Sequence, residues 1–244
     1  MIEFIQPNDF SASQRLFHGR GHAYSNLSHV NVDWLEPVIL ITLYQEVEAN
    51  WLAEQVCQLR TLTDKCQSIQ VQYRCRKFAP CELLWGQEIT NLHAVEHGLK
   101  YHISLGKAQN SGLFLDMSNG REWVKKHSDN KRVLNLFSYT CAFSVAALAG
   151  NASKVVNVDM SKSSLTKGRE NHRLNQQDLS KVIFEGVDIF KSYGRLKKHG
   201  RYQLLISDPP SFQKGSVDIE RDYKKIIRRL PDLMSDNGEV LLCL

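Results

Sequence analysis

Residues 204–212 read Leu-Leu-Ile-Ser-Asp-Pro-Pro-Ser-Phe, and this stretch constrains the fold more than any other. The continuous apolar run Leu204-Leu205-Ile206 is what a strand covered on both faces requires. Two prolines follow. Pro209 forces Asp208 out of the helical region, and neither proline can donate to a sheet ladder. The strand therefore ends here and presents a carboxylate, rigid proline carbonyls and the ring of Phe212 at its carboxyl edge. In open α/β sheets that edge is where ligands bind. A plain strand-to-loop turn would use the same residues, so the reading needs support from elsewhere in the chain.

The support lies upstream, in order. Arg132-Val133-Leu134-Asn135-Leu136 begins as a strand, and Phe137-Ser138-Tyr139-Thr140 leads out of it through small polar residues. Cys141 to Ala149 has helical composition and is closed by Gly150 as a C-cap. Lys154 to Val158 is a second strand ending at Asp159, Ser161 to Leu174 a second helix, and Lys181 to Phe184 a third strand followed by Gly186-Val187-Asp188. Strands alternating with helices predict βαβ units and a parallel sheet. Asn135, Asp159, Asp188 and Asp208 then read as four polar strand ends in register along one sheet edge. Asp159 lies 24 residues beyond Asn135. A carboxylate at about that distance past the first βα turn can accept hydrogen bonds from both hydroxyls of a nucleotide ribose. Its bland alternative is a helix N-cap, a role that Ser161 can fill instead.

Together these residues resemble the class I S-adenosylmethionine-dependent methyltransferases. Asn135-Leu-Phe-Ser-Tyr-Thr, Val158-Asp159, Asp188 and Asp208-Pro-Pro-Ser-Phe carry the resemblance. Within that class the chain is similar to bacterial 23S ribosomal RNA methyltransferases, both the cytosine-5 enzymes and the C-terminal half of the fused guanine methyltransferase. Gly112-Leu-Phe-Leu-Asp-Met-Ser-Asn-Gly-Arg121 resembles a segment that precedes the catalytic domain in that group. The resemblance covers roughly residues 95–244. It implies S-adenosylmethionine as cofactor and RNA, ribosomal RNA in particular, as partner. It also implies that Asn135, Phe137, Ser138, Tyr139 and Thr140 line the methionine end. Asp159 would hold the ribose and Asp188 the adenine amino group, with Phe114, Asp116, Met160 and Asp208 completing the cofactor site. Asp208, Pro209, Pro210 and Phe212 would hold the target base. There are departures. Cys141 stands where the family has a glycine that lets backbone approach the cofactor. Met117-Ser118 replaces Gln-Arg, which leaves Asp116 and Arg121 as the matching polar residues.

Charge is unevenly placed. Residues 1–110 carry 9 Lys/Arg against 11 Asp/Glu, whereas residues 111–244 carry 22 against 15. The basic half is the half with the methyltransferase motifs, as a polyanionic substrate requires. Arg221, Lys224, Lys225, Arg228 and Arg229 follow helical spacing, so they form one stripe predicted to contact RNA phosphates, while Tyr223, Ile226, Ile227 and Leu230 pack inward. The cluster Lys191, Arg195, Lys197, Lys198 and Arg201 reads as an exposed loop and helix. Six cysteines without a Cys-x-x-Cys pair read as reduced thiols, and no metal site is expected. No apolar run approaches the roughly 18 residues of a membrane span. The first residues lack the pattern of a signal peptide, so the expected location is the cytoplasm. Asn237-Gly238 followed by Glu239 to Leu244 reads as a turn and a fifth strand. Ending there would leave an apolar sheet edge, so the sheet is expected to continue beyond this chain or to meet a partner. The oligomeric state is open, a dimer included.

Residues 1–95 read as a small α+β subdomain with a possible RNA contact, and residues 96–244 as the Rossmann-like methyltransferase domain. In the first segment Val38 to Tyr44 is a strand, Glu46 to Leu59 a helix, and Ser68 to Arg76 a half-exposed strand. Leu83-Leu84-Trp85 is a further strand, and Tyr101 to Leu105 is another just past this segment. Phe17-His18-Gly19-Arg20-Gly21 reads equally as a phosphate-binding segment or a tight turn. The expected function is methyl transfer to a base in 23S ribosomal RNA, at a guanine nitrogen, because no cysteine lies in 208–212 and Cys243 sits in an apolar strand. Cytosine-5 methylation through a thiolate is the alternative, and a non-catalytic RNA-binding protein with a decayed cofactor site is a third reading.

Overall fold

The computed structural model describes residues 2–210 and 219–243, without the side chains of 219–221. Ser211 and Phe212 therefore lie outside the described residues, as does the side chain of Arg221. The chain forms two compact units, Met1–Asp116 and Met117–Leu244.

The first unit is built on a five-stranded sheet in the order β1-β2-β3-β4-β5. Its strands are β1 (Gln14–His18), β2 (Val30–Leu35), β3 (Val38–Leu43), β4 (Ser68–Tyr73) and β5 (Cys81–Gly86). Helix α1 (Ala49–Leu59) links β3 to β4, the one parallel pair in this sheet. The core gathers Leu16, Trp34, Ile39, Ile41, Ile69 and Val71. β4 departs from expectation: it is buried at all six positions rather than half-exposed. It lies between β3 and β5. Its polar side chains are paired internally, Gln70 Nε2 donating to Ile89 O and Gln72 Nε2 to Ala108 O. Period-two alternation here reflects satisfied amides in a buried strand, not a wet face. A hairpin of β6 (Asn91–Glu96) and β7 (Leu99–Ser104) completes the unit and spans the division drawn from sequence at residue 95. Its turn, His97-Gly98, has φ +49° and +79°, the left-handed pair that matches strand twist.

The second unit is a parallel sheet in the order β10-β9-β8-β11-β12. Helix α2 (Ser118–His127) leads into β8 (Arg132–Leu136). Then come α3 (Ala142–Ala149), β9 (Lys154–Val158), α4 (Lys162–Leu174), β10 (Val182–Glu185), α5 (Tyr193–Lys197) and β11 (Tyr202–Ser207). Helices α6 (Ile219–Ile227) and α7 (Leu230–Leu233) precede β12 (Met234–Leu242). The chain winds outward from β8 through β9 to β10, then returns to the other side of β8 for β11 and β12. That reversal at β8/β11 is the topological switch point of a doubly wound sheet. The Rossmann-like fold expected from sequence is the fold observed.

Two details differ. β12 begins at Met234, before Asn237-Gly238, and absorbs the turn as an irregularity in its ladder with β11. Gly150 does close α3, but at φ −87° rather than in a left-handed cap. A Cβ there would lie 1.9 Å from Lys125 O, so glycine is required by the close approach of α2's backbone.

Candidate active site

All five strands of the second sheet point the same way, so their carboxyl ends share one edge. Leu136, Val158 and Glu185 are register partners across β8, β9 and β10. Leu136, Ser207 and Leu242 are partners across β8, β11 and β12. The next residues, Phe137, Asp159, Gly186, Asp208 and Cys243, therefore leave the sheet at one level. Asp188 follows two residues past Gly186. Asn135 is the exception to the expected row of polar ends. It lies inside β8, buried, opposite Asn157, to which its Nδ2 donates at 2.9 Å.

The loop after β8 is the most constrained part of the edge. Phe137, Tyr139 and Cys141 have φ of +56°, +45° and +61°. Three left-handed side chains in five residues cost roughly 1–2 kcal/mol each. The surroundings hold them. Ser138 N–H donates to Val158 O at 3.1 Å and Cys141 N–H to Ser138 O at 2.7 Å. Asn171 Nδ2 donates to Thr140 O at 3.0 Å. Asp159 is the clamp: Oδ2 accepts from Tyr139 N–H and Oδ1 from Ser161 N–H, both at 2.8 Å. Ser161, not Asp159, caps α4, its Oγ accepting from Ser164 N–H at 3.2 Å. Each carboxylate oxygen of Asp159 keeps a second lone pair for a ligand hydroxyl.

Cys141 does not occupy the edge. Its side chain is fully buried, and a Cβ on Gly168 of α4 would meet its Sγ at 2.3 Å. The missing side chain of Gly168 is the space that the Cys141 thiol fills. Burial pushes that thiol well above its ordinary pKa.

Behind the loop runs a buried polar chain. Asn135 Nδ2 donates to Asn157 Oδ1, and Asn157 Nδ2 to Ser144 Oγ. Ser144 Oγ lies 2.9 Å from His172 Nε2, and His172 Nδ1 lies 2.6 Å from Gln177 Oε1. Gln177 Nε2 donates to Val145 O at 2.8 Å. Reading back from that carbonyl fixes every proton: Gln177 Oε1 must accept, so His172 carries its proton on Nδ1 and accepts at Nε2 from the Ser144 hydroxyl. The chain starts at Asn135, whose Oδ1 is buried without a hydrogen-bond partner among the described residues. Sequence reasoning missed Asn157, Ser144 and His172. The available signal was the matched asparagine at the fourth position of both Arg132–Leu136 and Lys154–Val158.

On the β10 side, Asp188 Oδ1 accepts from Phe190 N–H at 2.9 Å, and its Oδ2 lies 3.6 Å from Lys191 Nζ. Phe190 and Phe137 approach with ring centroids 6.3 Å apart, and Met160 is exposed. On the β11 side, Asp208 and Pro209 are half-buried and Pro210 is exposed. Tyr223 of α6 donates toward the carbonyls of Ser207 and Cys243, which ties the ends of β11 and β12 together. Burial, then the neighbouring Asp208 carboxylate, push the Cys243 thiol up to about 12. Phe114 and Asp116 belong to the first unit, Asp116 within the electrostatic neighbourhood of Arg15 and Asp33.

The basic stripe is narrower than its spacing predicts. Arg228 and Arg229 follow the end of α6. Asp222, buried among the cations, pairs with Lys225 at 2.8 Å. Arg229 pairs with Asp232 at 3.4 Å and lies over Tyr193. Among the described residues, Lys224 and Arg228 are the stripe cations that remain exposed without an ion pair. Also among the described residues, no group of three His, Cys, Asp or Glu could hold a metal ion, and no helix is long and apolar enough to cross a membrane.

Comparison with known proteins agrees with this geometry. The family described as S-adenosylmethionine-dependent methyltransferase matches residues 14–244. Ribosomal RNA large subunit methyltransferase I of Escherichia coli K12 is 29% identical over 249 residues, covering 98% of this chain and 62% of that protein. The protein of the same name from Erwinia tasmaniensis is 34% identical over 154 residues, covering 62% of this chain and 39% of its own length. A solved methyltransferase complexed with SAH is 28% identical with a TM-score of 0.84, covering 96% of this chain and 61% of that one. The chain thus spans less than two thirds of the length of each of these three relatives.

Proposed function

The chain belongs to the S-adenosylmethionine-dependent methyltransferase family, and from that premise we propose that it transfers a methyl group to a guanine nitrogen of large-subunit ribosomal RNA in the cytoplasm. The observation that carries the reading is the single row of Phe137, Asp159, Asp208 and Cys243 along the switch-point edge. When bound, the cofactor supplies a methyl group already activated on a sulfonium. The chain's own residues then have to hold and orient the two partners.

Asp159 is suited to the ribose, because its oxygens are fixed by two backbone N–H groups and each retains a lone pair. The start of α3 offers a partial positive end for a carboxylate. Asn135 lies buried behind this edge, and its Oδ1 has no hydrogen-bond partner among the described residues. Asp188 and the Phe137–Phe190 pair form an apolar wall with one carboxylate, which fits an aromatic base with an amino group. Asp208 and the Pro209 and Pro210 carbonyls would accept from the N–H groups of a target base. A base in a duplex would have to be flipped out to reach them. Lys224 and Arg228 would contact phosphates.

Nitrogen is preferred over carbon because a cytosine-5 enzyme needs a thiolate. Cys243 at this edge and Cys141 buried behind it are both held protonated by burial. The test has two parts. In calorimetry on the full-length protein, Asp159→Ala should lose about a hundredfold in S-adenosylmethionine affinity, on the order of 3 kcal/mol for two charge-assisted hydrogen bonds. Mass-spectrometric mapping of 23S ribosomal RNA from a strain lacking the gene should show one guanine methylation lost. Unchanged binding by Asp159→Ala rejects the cofactor assignment, and a lost cytosine methylation rejects the base.

A further inference from the structure

The first unit carries a second surface with the chemistry of a nucleic-acid contact, far in sequence from the edge described above. Residues 74–80 join β4 to β5. The turn is pinned at its base by Tyr73 N–H to Pro80 O at 2.9 Å and Arg74 N–H to Leu43 O at 2.7 Å. It is closed internally by Arg76 N–H to Tyr73 O and Ala79 N–H to Arg76 O, both at 3.1 Å. Phe78 and Ala79 are both left-handed, at φ +67° and +48°. Ala79 is buried and anchors the turn, whereas Phe78 is 85% exposed, the most exposed large apolar side chain among the described residues. A phenylalanine in a left-handed position is costly, and leaving its ring in water forgoes the gain of burying it. A rigid turn that accepts both costs presents the ring to something outside the chain.

The cations around the turn indicate what. Lys77 Nζ lies 4.9 Å from the Phe78 ring centroid. Arg74 and Arg20 both lie over the Tyr44 ring, at 5.5 and 4.1 Å. Arg76 lies 3.5 Å from the Tyr73 ring, but it is neutralised by Glu46 and Glu82. Among the described residues Arg20, Arg74 and Lys77 form no ion pair. Their concentration is local, since residues 1–110 carry more acids than bases. Guanidinium groups held over a tyrosine ring are pre-organised for phosphate, and an exposed ring beside them is a stacking platform for an unpaired base. An apolar protein partner would be poorly matched by three unpaired cations.

We propose that the β4–β5 turn, with Arg20 and Tyr44, binds single-stranded RNA, one base stacking on Phe78 and phosphates contacting Arg20, Arg74 and Lys77. The proposal rests on the reading of RNA as substrate and gives the first unit a share in holding it. Phe17-His18-Gly19-Arg20-Gly21 then resolves into two parts: Phe17 is buried in the core, and Gly19 is required because a Cβ would lie 1.8 Å from Leu27 O, while Arg20 reaches Tyr44.

The test is fluorescence anisotropy with full-length protein and an unstructured RNA oligonucleotide, alone and annealed to its complement. Phe78→Ala should weaken single-strand binding about tenfold, and Phe78→Trp should retain it. Replacing Arg20, Arg74 and Lys77 by Gln should lower the log–log salt slope by about 0.7 for each phosphate interaction removed. Calorimetric affinity for S-adenosylmethionine should be unchanged in all variants, and their melting temperatures report that they fold. If wild type binds RNA and Phe78→Ala binds equally well, the patch proposal is overturned while the RNA reading stands. If folded wild type binds no RNA, both fail. Equal losses on single strand and duplex would also overturn base stacking.

Discussion

The buried chain from Asn135 to Gln177 makes His172 an acid-sensitive element of the fold. His172 has no exposed surface, and burial holds its pKa down at about 4 against an ordinary 6.5. Protonation would put a donor on Nε2. Ser144 Oγ already accepts from Asn157 Nδ2, so its own hydroxyl proton would then lose its acceptor. The sign follows from linkage. The unfolded chain takes up the proton at about 6.5 and the folded chain does not, so falling pH favours the unfolded state. His172 therefore contributes fully above pH 6.5, and its contribution declines as pH falls from 6.5 to 4. The whole effect is about 3 kcal/mol, taken from the depression of the pKa.

Hydrogen–deuterium exchange of the β8 and β9 amides in urea, corrected for intrinsic rates, measures the stability of this unit directly. Wild type should lose about 3 kcal/mol between pH 7 and pH 4 beyond what a His172→Gln variant loses. The variant should be less stable at pH 7, because the chain is cut. It should show a flatter pH dependence, because the titrating group is gone. Equal pH slopes in wild type and variant would refute the reasoning, whatever their absolute stabilities.

Replacing Lys224 and Arg228 by Gln should lower the salt slope of RNA binding by somewhat less than one unit each, whereas Lys225→Gln and Arg229→Gln should change it less, since Asp222 and Asp232 already engage them. Cys243→Ser should leave methyl incorporation into undermodified ribosomal RNA largely intact, and trapping of an adduct on 5-fluorocytosine by wild type would reverse that expectation. Gly168→Ala should destabilise the second unit by roughly 1–3 kcal/mol through collision with the Cys141 thiol, and Cys141→Gly in the same chain should recover most of the loss, seen as non-additivity in urea unfolding.

Much of the second unit was legible because each signal had one physical meaning. Short apolar runs alternating with helical segments read as strands covered on both faces, and Asp208-Pro209-Pro210 ends one. The first unit was less legible. β1, β2 and β6 were missed, and β2 shows why. Asp33 interrupts Val30–Leu35, and only the cross-strand register reveals that it faces Arg15, whose Nε donates to it at 2.8 Å. A half-buried ion pair between two strands looks, in each strand alone, like a solvated residue. The basic stripe is narrower than its spacing suggests for the complementary reason. Helical spacing places cations on a face, but it does not show that Asp222 and Asp232 neutralise two of them.

The loop after β8 carries the same point into the site. Cys141 in place of a glycine reads, from sequence, as an obstruction between backbone and cofactor, because only the edge side of the position is considered. The left-handed backbone turns the side chain toward α4, where Gly168 leaves it room. The left-handed conformation is borne by Cys141 at an energetic cost, and the room for its side chain is left by Gly168. What keeps Cys141 left-handed is then the same set of bonds that shapes the site, from Ser138 O, Asn171 and Asp159. A substitution at Asp159 should therefore loosen the loop as well as remove a ligand contact. That separates the two roles of this carboxylate: Asp159→Asn keeps an acceptor for one N–H and should preserve more of the loop's exchange protection than of the cofactor affinity.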